Sequence, residues 1–291
     1  MPEALLALVL NELTTPVDPR VETMAAAIAA RYPNAARAVL FYGSCLRESQ
    51  FDGLMLDFYL IVSDYEAAYG KGWLAWANQT IPPNVFPFEH DGLVAKYAVL
   101  SVADFTALNQ PSASSVSVWA RFAQPSRAVW SVQDFAADFE ILAAIVSAPL
   151  TLFELTLTMV TPETPILEIW RRGFALTYGA ELRAERKGRN NSVVDADPDR
   201  YERFGAAALA AAKPIADASR RWPRLQRHGK LLTLARLAKA TTTYAGGIDY
   251  LAWKINRHAD AAITIRPWQR RWPILGALSL LPKLLMKGSV R

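Results

Sequence analysis

One carboxylate, Asp57, stands in the middle of an apolar run at residues 55–62, whose composition is typical of a strand covered on both faces. Burying a charge there costs several kcal/mol unless a partner neutralises it. An earlier apolar run, residues 38–42, ends at Gly43-Ser44, which predicts a strand followed by a turn. Backbone amides of such a turn can face phosphate oxygens, so we expect Asp57 to hold a divalent cation against a nucleoside triphosphate.

A lysine occupies a similar place in a third predicted strand, residues 92–101, where Lys96 is surrounded by apolar residues. Its ammonium needs an anion, and a triphosphate is the natural one if this strand flanks Asp57. The alternative is a lysine at a sheet edge whose ammonium reaches solvent. Glu89 and Asp91, just before the strand, are candidates for a second metal carboxylate.

A Gly-Ser pair after one strand and an aspartate on the next is the arrangement typical of polymerase-β-like nucleotidyltransferases. That superfamily usually carries a second acid two residues after the first, and here Tyr59 occupies this position. The structural alternative is that Asp57 forms a salt bridge in the core. We predict an α+β fold, with a mixed sheet and flanking helices, and a metal site that departs from the usual one.

The composition of the whole chain limits its partners. Its 291 residues carry a net charge of +5, with a pI near 9.3, which favours nucleotide phosphate, nucleic acid or acidic lipid. The apolar fraction is 52% but the mean hydropathy is only +0.09, which suits a globular protein that touches a membrane. A single cysteine, Cys45, excludes an internal disulfide and favours a reducing compartment.

Helical patterns flank the predicted strands. Two of them, within residues 1–32, should pack beside the sheet. A third, residues 65–79, places Trp73 and Trp76 near one face with two tyrosines, and an aromatic stripe at helical spacing usually belongs to a core.

A change of composition after Trp130 divides the chain into residues 1–130, a helical domain at 131–262 and a basic amphipathic tail at 263–291. Residues 141–160 come closest to a membrane span, but Pro149 and Glu154 interrupt them. They are better interpreted as buried core helices.

Six short motifs follow one another along the chain: FYGSCL at 41–46, MLDFYLIVSD at 55–64, KYAVLS at 96–101, WARF at 119–122, TYGAELR at 177–183 and IRP at 265–267. In this order they resemble motifs of the mitochondrial CTP:phosphatidate cytidylyltransferases, the peripheral CDP-diacylglycerol synthases of the translocator-assembly-and-maintenance family. In the same order, the motifs of that family are YGSG, a strand that carries one aspartate and ends in an acid, KYGVIS, AGRL, SYSGDxR, and an arginine followed by a proline. That family's histidine-rich stretch has no counterpart, since residues 73–78 stand in its place.

The resemblance implies a nucleotidyltransferase domain, a winged-helix-like helical domain and a membrane-contacting tail. It implies transfer of CMP from CTP to phosphatidic acid, giving CDP-diacylglycerol and pyrophosphate with Mg²⁺ as cofactor. It also implies a cytoplasmic protein bound peripherally to the inner face of the cell membrane, without a nucleic-acid partner. Two alternatives remain. One is a nucleotidyltransferase with a soluble acceptor, and the other is a non-catalytic member of the fold that binds a lipid or another partner.

The same resemblance implies roles for individual residues. The nucleotide would be bound by Tyr42, Gly43, Ser44 and Arg121. The metal would be bound by Asp57 together with Asp64 or Asp91. Lys96 would stabilise developing charge, and Arg183 would contact the lipid phosphate. The alternative for Arg121 is a surface cation with an apolar stem.

The C-terminal tail places Arg270 and Arg271 between two tryptophans. Indoles favour the lipid headgroup level and arginines favour anionic lipid, so we expect this segment to contact a membrane. The apolar run at 272–281 would extend about 15 Å as a helix, half a hydrocarbon core, and could lie on a bilayer without spanning it. The alternative is a core helix of the second domain.

Overall fold

The protein is represented by a computed structural model that describes residues 1–47, 51, 53–181, 193–243, 265–267 and 269. Five strands form one sheet: β1 (Ala36–Tyr42), β2 (Met55–Val62), β3 (Asn84–His90), β4 (Leu93–Ser101) and β5 (Ser126–Ser131). The α-helices are α1 (Glu3–Leu13), α2 (Pro19–Ala29), α3 (Tyr65–Tyr69), α4 (Trp73–Thr80), α5 (Val102–Leu108), α6 (Trp119–Phe122), α7 (Phe139–Thr156), α8 (Ile166–Tyr178), α9 (Pro198–Ala211) and α10 (Ala218–Thr243).

The sheet has the strand order β3-β4-β2-β1-β5. Strands β2 and β4 run parallel, and every other neighbouring pair is antiparallel, so the sheet is mixed. The α+β class predicted from the sequence is confirmed. After Ser131, the described part of the chain contains helices and no strand.

Two apolar clusters cover the two faces of the sheet, because successive strand residues point to opposite sides. Val39, Phe58 and Val99 face the cluster that includes α2. Leu40 and Ile61 face the other cluster, which continues without a break into the helical part of the chain. The site described below lies on this second face, toward the ends of the strands.

The predicted strands at residues 38–42, 55–62 and 92–101 are present as β1, β2 and β4. Strand β3 is not among the predicted strands, because Pro82, Pro83 and Pro87 are typical of chain breaks. Pro87 is tolerated within β3 because β3 is an edge strand, where a missing ladder donor costs little.

The predicted aromatic helix at residues 65–79 is divided in two. Gly70 adopts a left-handed φ of 70°, which ends α3 and changes the phase of the helical pattern before α4 begins. The expectation that the aromatic stripe belongs to the core is wrong for its second half, since Trp73 and Trp76 are 51% and 66% exposed.

Helix α7 contains the apolar stretch that came closest to a membrane span. It is the one helix of the described residues that is long and apolar enough to cross a membrane, and 67% of the qualifying window is buried inside the protein. Its buried residues include Pro149 in the middle of the helix. The structure therefore uses α7 as a core helix, as the sequence predicted.

An ion pair joins the N-terminal helix to the helical part of the chain. Arg200 of α9 is buried, and its guanidinium donates a 2.9 Å hydrogen bond to a carboxylate oxygen of Glu12 on α1. A second pair links the sheet to α7, where Arg37 of β1 donates at 2.8 Å to Asp138, the residue that caps α7. The two parts of the chain thus share a core and are fastened by charged contacts.

Helix α10 approaches the end of α8 closely at Gly229, where an added Cβ would lie 2.2 Å from the carbonyl oxygen of Ala180. Helix propensity favours alanine over glycine by about 1 kcal/mol, but overpacking against a backbone atom costs about 1–3 kcal/mol. We therefore expect Gly229→Ala to lower the free energy of unfolding, measured by chemical denaturation. Gly72→Ala, where an added Cβ meets nothing within 4 Å, is the control. A stabilised Gly229→Ala protein would contradict this packing.

Candidate functional site

Three side chains meet on neighbouring strands at one end of the sheet. In the strand registers Tyr42 of β1 lies opposite Asp57 of β2, and Asp57 lies beside Lys96 of β4. Neighbouring residues across a sheet point to the same face, so all three side chains project toward the helical part of the chain. The Lys96 ammonium nitrogen lies 2.6 Å from Asp57 Oδ1, and both side chains are mostly buried.

The turn after β1 passes directly over Asp57. Gly43 has a φ of 96°, which an L side chain rarely adopts, and a Cβ at this position would lie 3.3 Å from Asp57 Oδ2. Glycine is therefore required both by the backbone conformation and by the proximity of the carboxylate. Ser44 is exposed at the start of the following 3-10 turn. Because Gly43 lies against the Asp57 carboxylate, the predicted glycine turn and the aspartate do lie together.

Arg121 of α6 reaches the same place from the helical side. Its guanidinium donates to the carbonyl oxygen of Ser117 and lies 3.6 Å from a carboxylate oxygen of Glu181. Burial lowers the pKa of Arg121, but Tyr59 and Glu181 more than offset that effect, so the pKa lies above its usual value. The alternative of a surface cation is therefore wrong for Arg121.

Two cations of α10, Arg236 and Lys239, complete the site, and sequence analysis did not single them out. Arg236 donates at 2.7 Å to the Pro82 carbonyl and at 2.7 Å to the Ser117 hydroxyl. Lys239 donates to the carbonyl of Ile81 and, at 2.8 Å, to that of Pro83. The turn between α4 and β3 thus presents three consecutive carbonyls to the long basic helix.

A pocket of about 160 Å³ lies between the sheet and helices α6 and α10. Its polar side is formed by Lys96, Ser117, Arg121, Arg236 and Lys239, and its less polar side includes Tyr42, Tyr59, Pro83, Val85 and Ala98. With Asp57 paired to Lys96 and Glu181 paired to Arg121, four cations stand against two carboxylates. The excess of positive charge in a confined space favours an anionic ligand.

Burial changes the protonation of several groups around this pocket. Burial, and then the negative charge of Asp57, raises the pKa of the Tyr42 hydroxyl well above its ordinary value, so Tyr42 is a neutral hydrogen-bonding group. Burial lowers the pKa of Arg236. Burial, with a smaller contribution from the charge of Arg236, lowers the pKa of Lys239 to about 7.

The structure does not bring the other two predicted metal carboxylates to Asp57. Asp64 follows the far end of β2, about 20 Å along the strand from Asp57, and caps α3 by accepting a 2.7 Å hydrogen bond from the Ala67 amide. Asp91 occupies the exposed turn between β3 and β4, where its carboxylate lies 3.5 Å from His90. The remaining predicted contacts, Arg183, Arg270 and Arg271, lie outside the described residues.

The donor set for a metal is therefore small. Among the described residues no group of three or more His, Cys, Asp or Glu side chains could hold a metal ion. Asp57 Oδ1 is buried and accepts no well-directed hydrogen bond there, since its short contact with Lys96 is an ion pair without hydrogen-bond geometry. Mg²⁺ commonly binds through one or two carboxylates together with substrate phosphates, so Asp57 fits such an ion when a nucleotide supplies the other oxygens.

Comparison with known proteins adds little to this geometry. No protein-family model matches the chain, and no curated protein matches it. Among solved structures, the chain is similar to a nucleotidyltransferase-like protein from Exiguobacterium sibiricum 255-15, with 13% sequence identity, a TM-score of 0.27 and coverage of 92% of each chain. A similarity at this level says nothing about the activity or substrate of this chain, which the side chains of the pocket must decide.

The lowered pKa of Lys239 gives the pocket a pH dependence. The unfolded chain binds more protons than the folded protein between about pH 7 and the ordinary lysine pKa of 10.5, so Lys239 makes the free energy of unfolding rise with pH across this window. An anion in the pocket would raise the pKa again. With CTP used as an anionic probe, we therefore expect binding at pH 8 to take up protons and to weaken as the pH rises.

Calorimetric titration of CTP in buffers of different ionisation enthalpy measures this proton uptake directly. In Lys239→Arg the side chain stays charged at pH 8. The number of protons taken up on binding should therefore fall to the number that CTP itself takes up. Equal proton uptake by the wild type and Lys239→Arg would show that Lys239 is already protonated at pH 8.

Proposed function

We propose that this protein is a nucleotidyltransferase that transfers CMP from CTP to the phosphate of phosphatidic acid, releasing pyrophosphate. The observation that carries this proposal is the Gly43 turn that lies over Asp57, next to a pocket lined by Lys96, Arg121, Arg236 and Lys239. A glycine turn, one strand carboxylate and a surplus of cations are what a bound nucleoside triphosphate requires.

The charge balance supports a polyanion in preference to a neutral substrate. Among the described residues, three full positive charges and the partly protonated Lys239, whose pKa is lowered to about 7, stand against two carboxylates, so the net charge of the site is positive. Arg236 has one terminal nitrogen, Nη2, that is buried without a hydrogen-bond partner among the described residues. A buried charged donor without an acceptor is costly, and a phosphate oxygen would supply the acceptor.

The transfer itself needs little covalent participation by the protein. The acceptor phosphate is already an anion, so its oxygen can attack the α-phosphorus of CTP, forming one P–O bond while the bond to the β-phosphate breaks. Arg121, Arg236 and Lys239 would bind and orient the triphosphate and stabilise the pyrophosphate as it leaves. Lys96 would hold Asp57 in place, and Asp57 would hold Mg²⁺, which neutralises charge on the triphosphate when bound.

The choice of CTP and phosphatidic acid is supported by the resemblance of the six sequence motifs and by the basic, tryptophan-containing tail. The tail is proposed to contact the cytoplasmic face of a membrane, where an anionic phospholipid acceptor is found. Arg183 belongs to one of the resembling motifs and is proposed to bind the lipid phosphate.

A non-catalytic anion-binding protein is the second candidate, and one observation favours it. Asp57 is already neutralised by Lys96, and among the described residues it does not belong to a group of three or more His, Cys, Asp or Glu side chains that could hold a metal. A protein of this kind would bind CTP or pyrophosphate without releasing product. Incubation of the whole protein with labelled CTP, Mg²⁺ and detergent-solubilised phosphatidic acid separates the two candidates, because only the enzyme yields CDP-diacylglycerol and pyrophosphate.

Asp57→Asn tests whether this carboxylate takes part in the reaction. The amide keeps the size of the side chain but cannot replace the charge, so we expect the rate of pyrophosphate release to fall by far more than about tenfold, which corresponds to 1.4 kcal/mol. Asp91→Asn is the matched control, because Asp91 is exposed and asparagine tolerates its φ of 48°. Folding is checked by circular dichroism, since the substitution at position 57 removes the ion-pair partner of Lys96. Near-normal turnover in folded Asp57→Asn would remove Asp57 from the site.

Arg236→Met tests whether α10 contributes to nucleotide binding. Methionine retains much of the apolar stem but supplies neither charge nor donors, so we expect the dissociation constant of CTP to rise about tenfold or more, as for loss of a charge-assisted hydrogen bond. Arg227→Met is the control, because Arg227 is exposed on the same helix and, among the described residues, donates to the Pro223 carbonyl one turn away. Equal CTP affinity in both variants would place the nucleotide elsewhere.

A further inference from the structure

A second, apolar groove of about 350 Å³ lies between α4 and α10, beside the charged pocket. It is lined by Trp73, Trp76 and Thr80 of α4 and by Ala235, Ala238 and Lys239 of α10. On α4 these residues are three or four positions apart, and on α10 Ala238 and Lys239 lie three and four positions after Ala235, so each set forms a continuous face. Small alanines on one wall and large indoles on the other leave a channel between them.

The two indoles of this groove are exposed, although an aromatic stripe at helical spacing usually belongs to a core. Trp73 is 51% exposed and Trp76 is 66% exposed. Leu231, four residues before Ala235 on the same face of α10, is also 66% exposed. Two exposed indoles that line one groove are typical of a binding site, because leaving them in water has a free-energy cost.

Lys239 lines both the charged pocket and the groove. On one side of Lys239 lie Arg236 and the other cations, and on the other side lie the indoles and alanines. A ligand that occupies both spaces must therefore carry an anionic group joined to an apolar chain. This pattern of charge and apolar surface fits an anionic phospholipid, and it also fits a nucleotide whose base stacks on the indoles.

We propose that the groove binds an acyl chain of the phospholipid acceptor while the phosphate of the same molecule lies beside Lys239, at the border between the groove and the charged pocket that is proposed to hold the triphosphate. This inference rests on the proposed function, and it identifies the acceptor as an amphiphile bound by its chain as well as by its head. The two tryptophans then determine the preference for acylated acceptors.

The lining favours a hydrocarbon chain over the base of the nucleotide. The Thr80 hydroxyl donates at 2.8 Å to the Trp76 carbonyl within α4, and the Lys239 ammonium donates to the carbonyls of Ile81 and Pro83. A base stacked on the indoles would therefore find few partners for the polar atoms on its edge, and burying them unpaired is costly. A hydrocarbon chain needs no such partners.

Kinetics with soluble acceptors test this assignment. Wild type and the double variant Trp73→Ala/Trp76→Ala are compared on dioctanoyl phosphatidic acid below its critical micelle concentration and on glycerol 3-phosphate, each with CTP and Mg²⁺. We expect the double variant to raise KM for the dioctanoyl lipid about tenfold, as for loss of apolar contacts in a pocket, and to leave KM for CTP unchanged. Any activity on glycerol 3-phosphate should be the same in both proteins. Phe139→Ala, which removes a 62% exposed aromatic elsewhere, is the control.

A binding measurement keeps the test independent of turnover. Dioctanoyl phosphatidic acid brominated on its acyl chains should quench the tryptophan fluorescence of the wild type saturably and should lose most of that quenching in the double variant. If the wild type releases no pyrophosphate with any acceptor, the proposed function fails, and the quenching alone then decides whether the groove binds a chain.

Three results would overturn the acyl-chain assignment. Equal quenching and equal lipid KM in the wild type and the double variant would show that the chain binds elsewhere. A higher KM for CTP in the double variant, with unchanged lipid KM, would show that the indoles hold the base. Protection of Trp73 and Trp76 from iodide quenching in the lipid-free protein, measured as the difference between wild type and double variant, would show that a second copy or another segment of this chain covers the groove.

Discussion

The ion pair between Asp57 and Lys96 is the constraint on which the site depends. It joins two parallel strands at neighbouring positions, so each buried charge is neutralised by the other. A shift of one residue in either strand would turn one of these side chains toward the opposite, apolar face and leave both charges unpaired. The register of β2 and β4 therefore fixes where Asp57 lies, and Gly43, which lacks a Cβ, allows the preceding turn to pass over it.

The second half of the site depends on how α10 is attached. Its cations donate to the carbonyls of Ile81, Pro82 and Pro83, and this contact closes the pocket opposite the sheet. The same residues both hold the helix and line the cavity, so an anion that bound there would contact the residues that fix the position of α10. Lys239 also borders the apolar groove, so the attachment of one helix creates two adjoining surfaces of opposite character.

The candidate site could be predicted only in part. Asp57, Lys96 and the Gly43 turn were found because a charge in an apolar strand and a glycine at a strand end are conspicuous in the sequence itself. Arg236 and Lys239 could not be found in this way, because α10 carries many basic residues that are exposed, such as Arg227. Only the contact with the turn at Ile81 to Pro83 distinguishes these two, and it joins residues about 155 positions apart in the chain.

The sequence by itself determined the α+β class, three of the five strands and the burial of α7, because these follow from local patterns of apolar residues. Tertiary structure decided which charges meet: it separated Asp64 and Asp91 from Asp57 and brought Arg121 and α10 to it. It also placed Trp73 and Trp76 at the surface after the break at Gly70. The physical reason is that local periodicity reports which face of an element is apolar, whereas strand order and helix docking decide what that face and its charges contact.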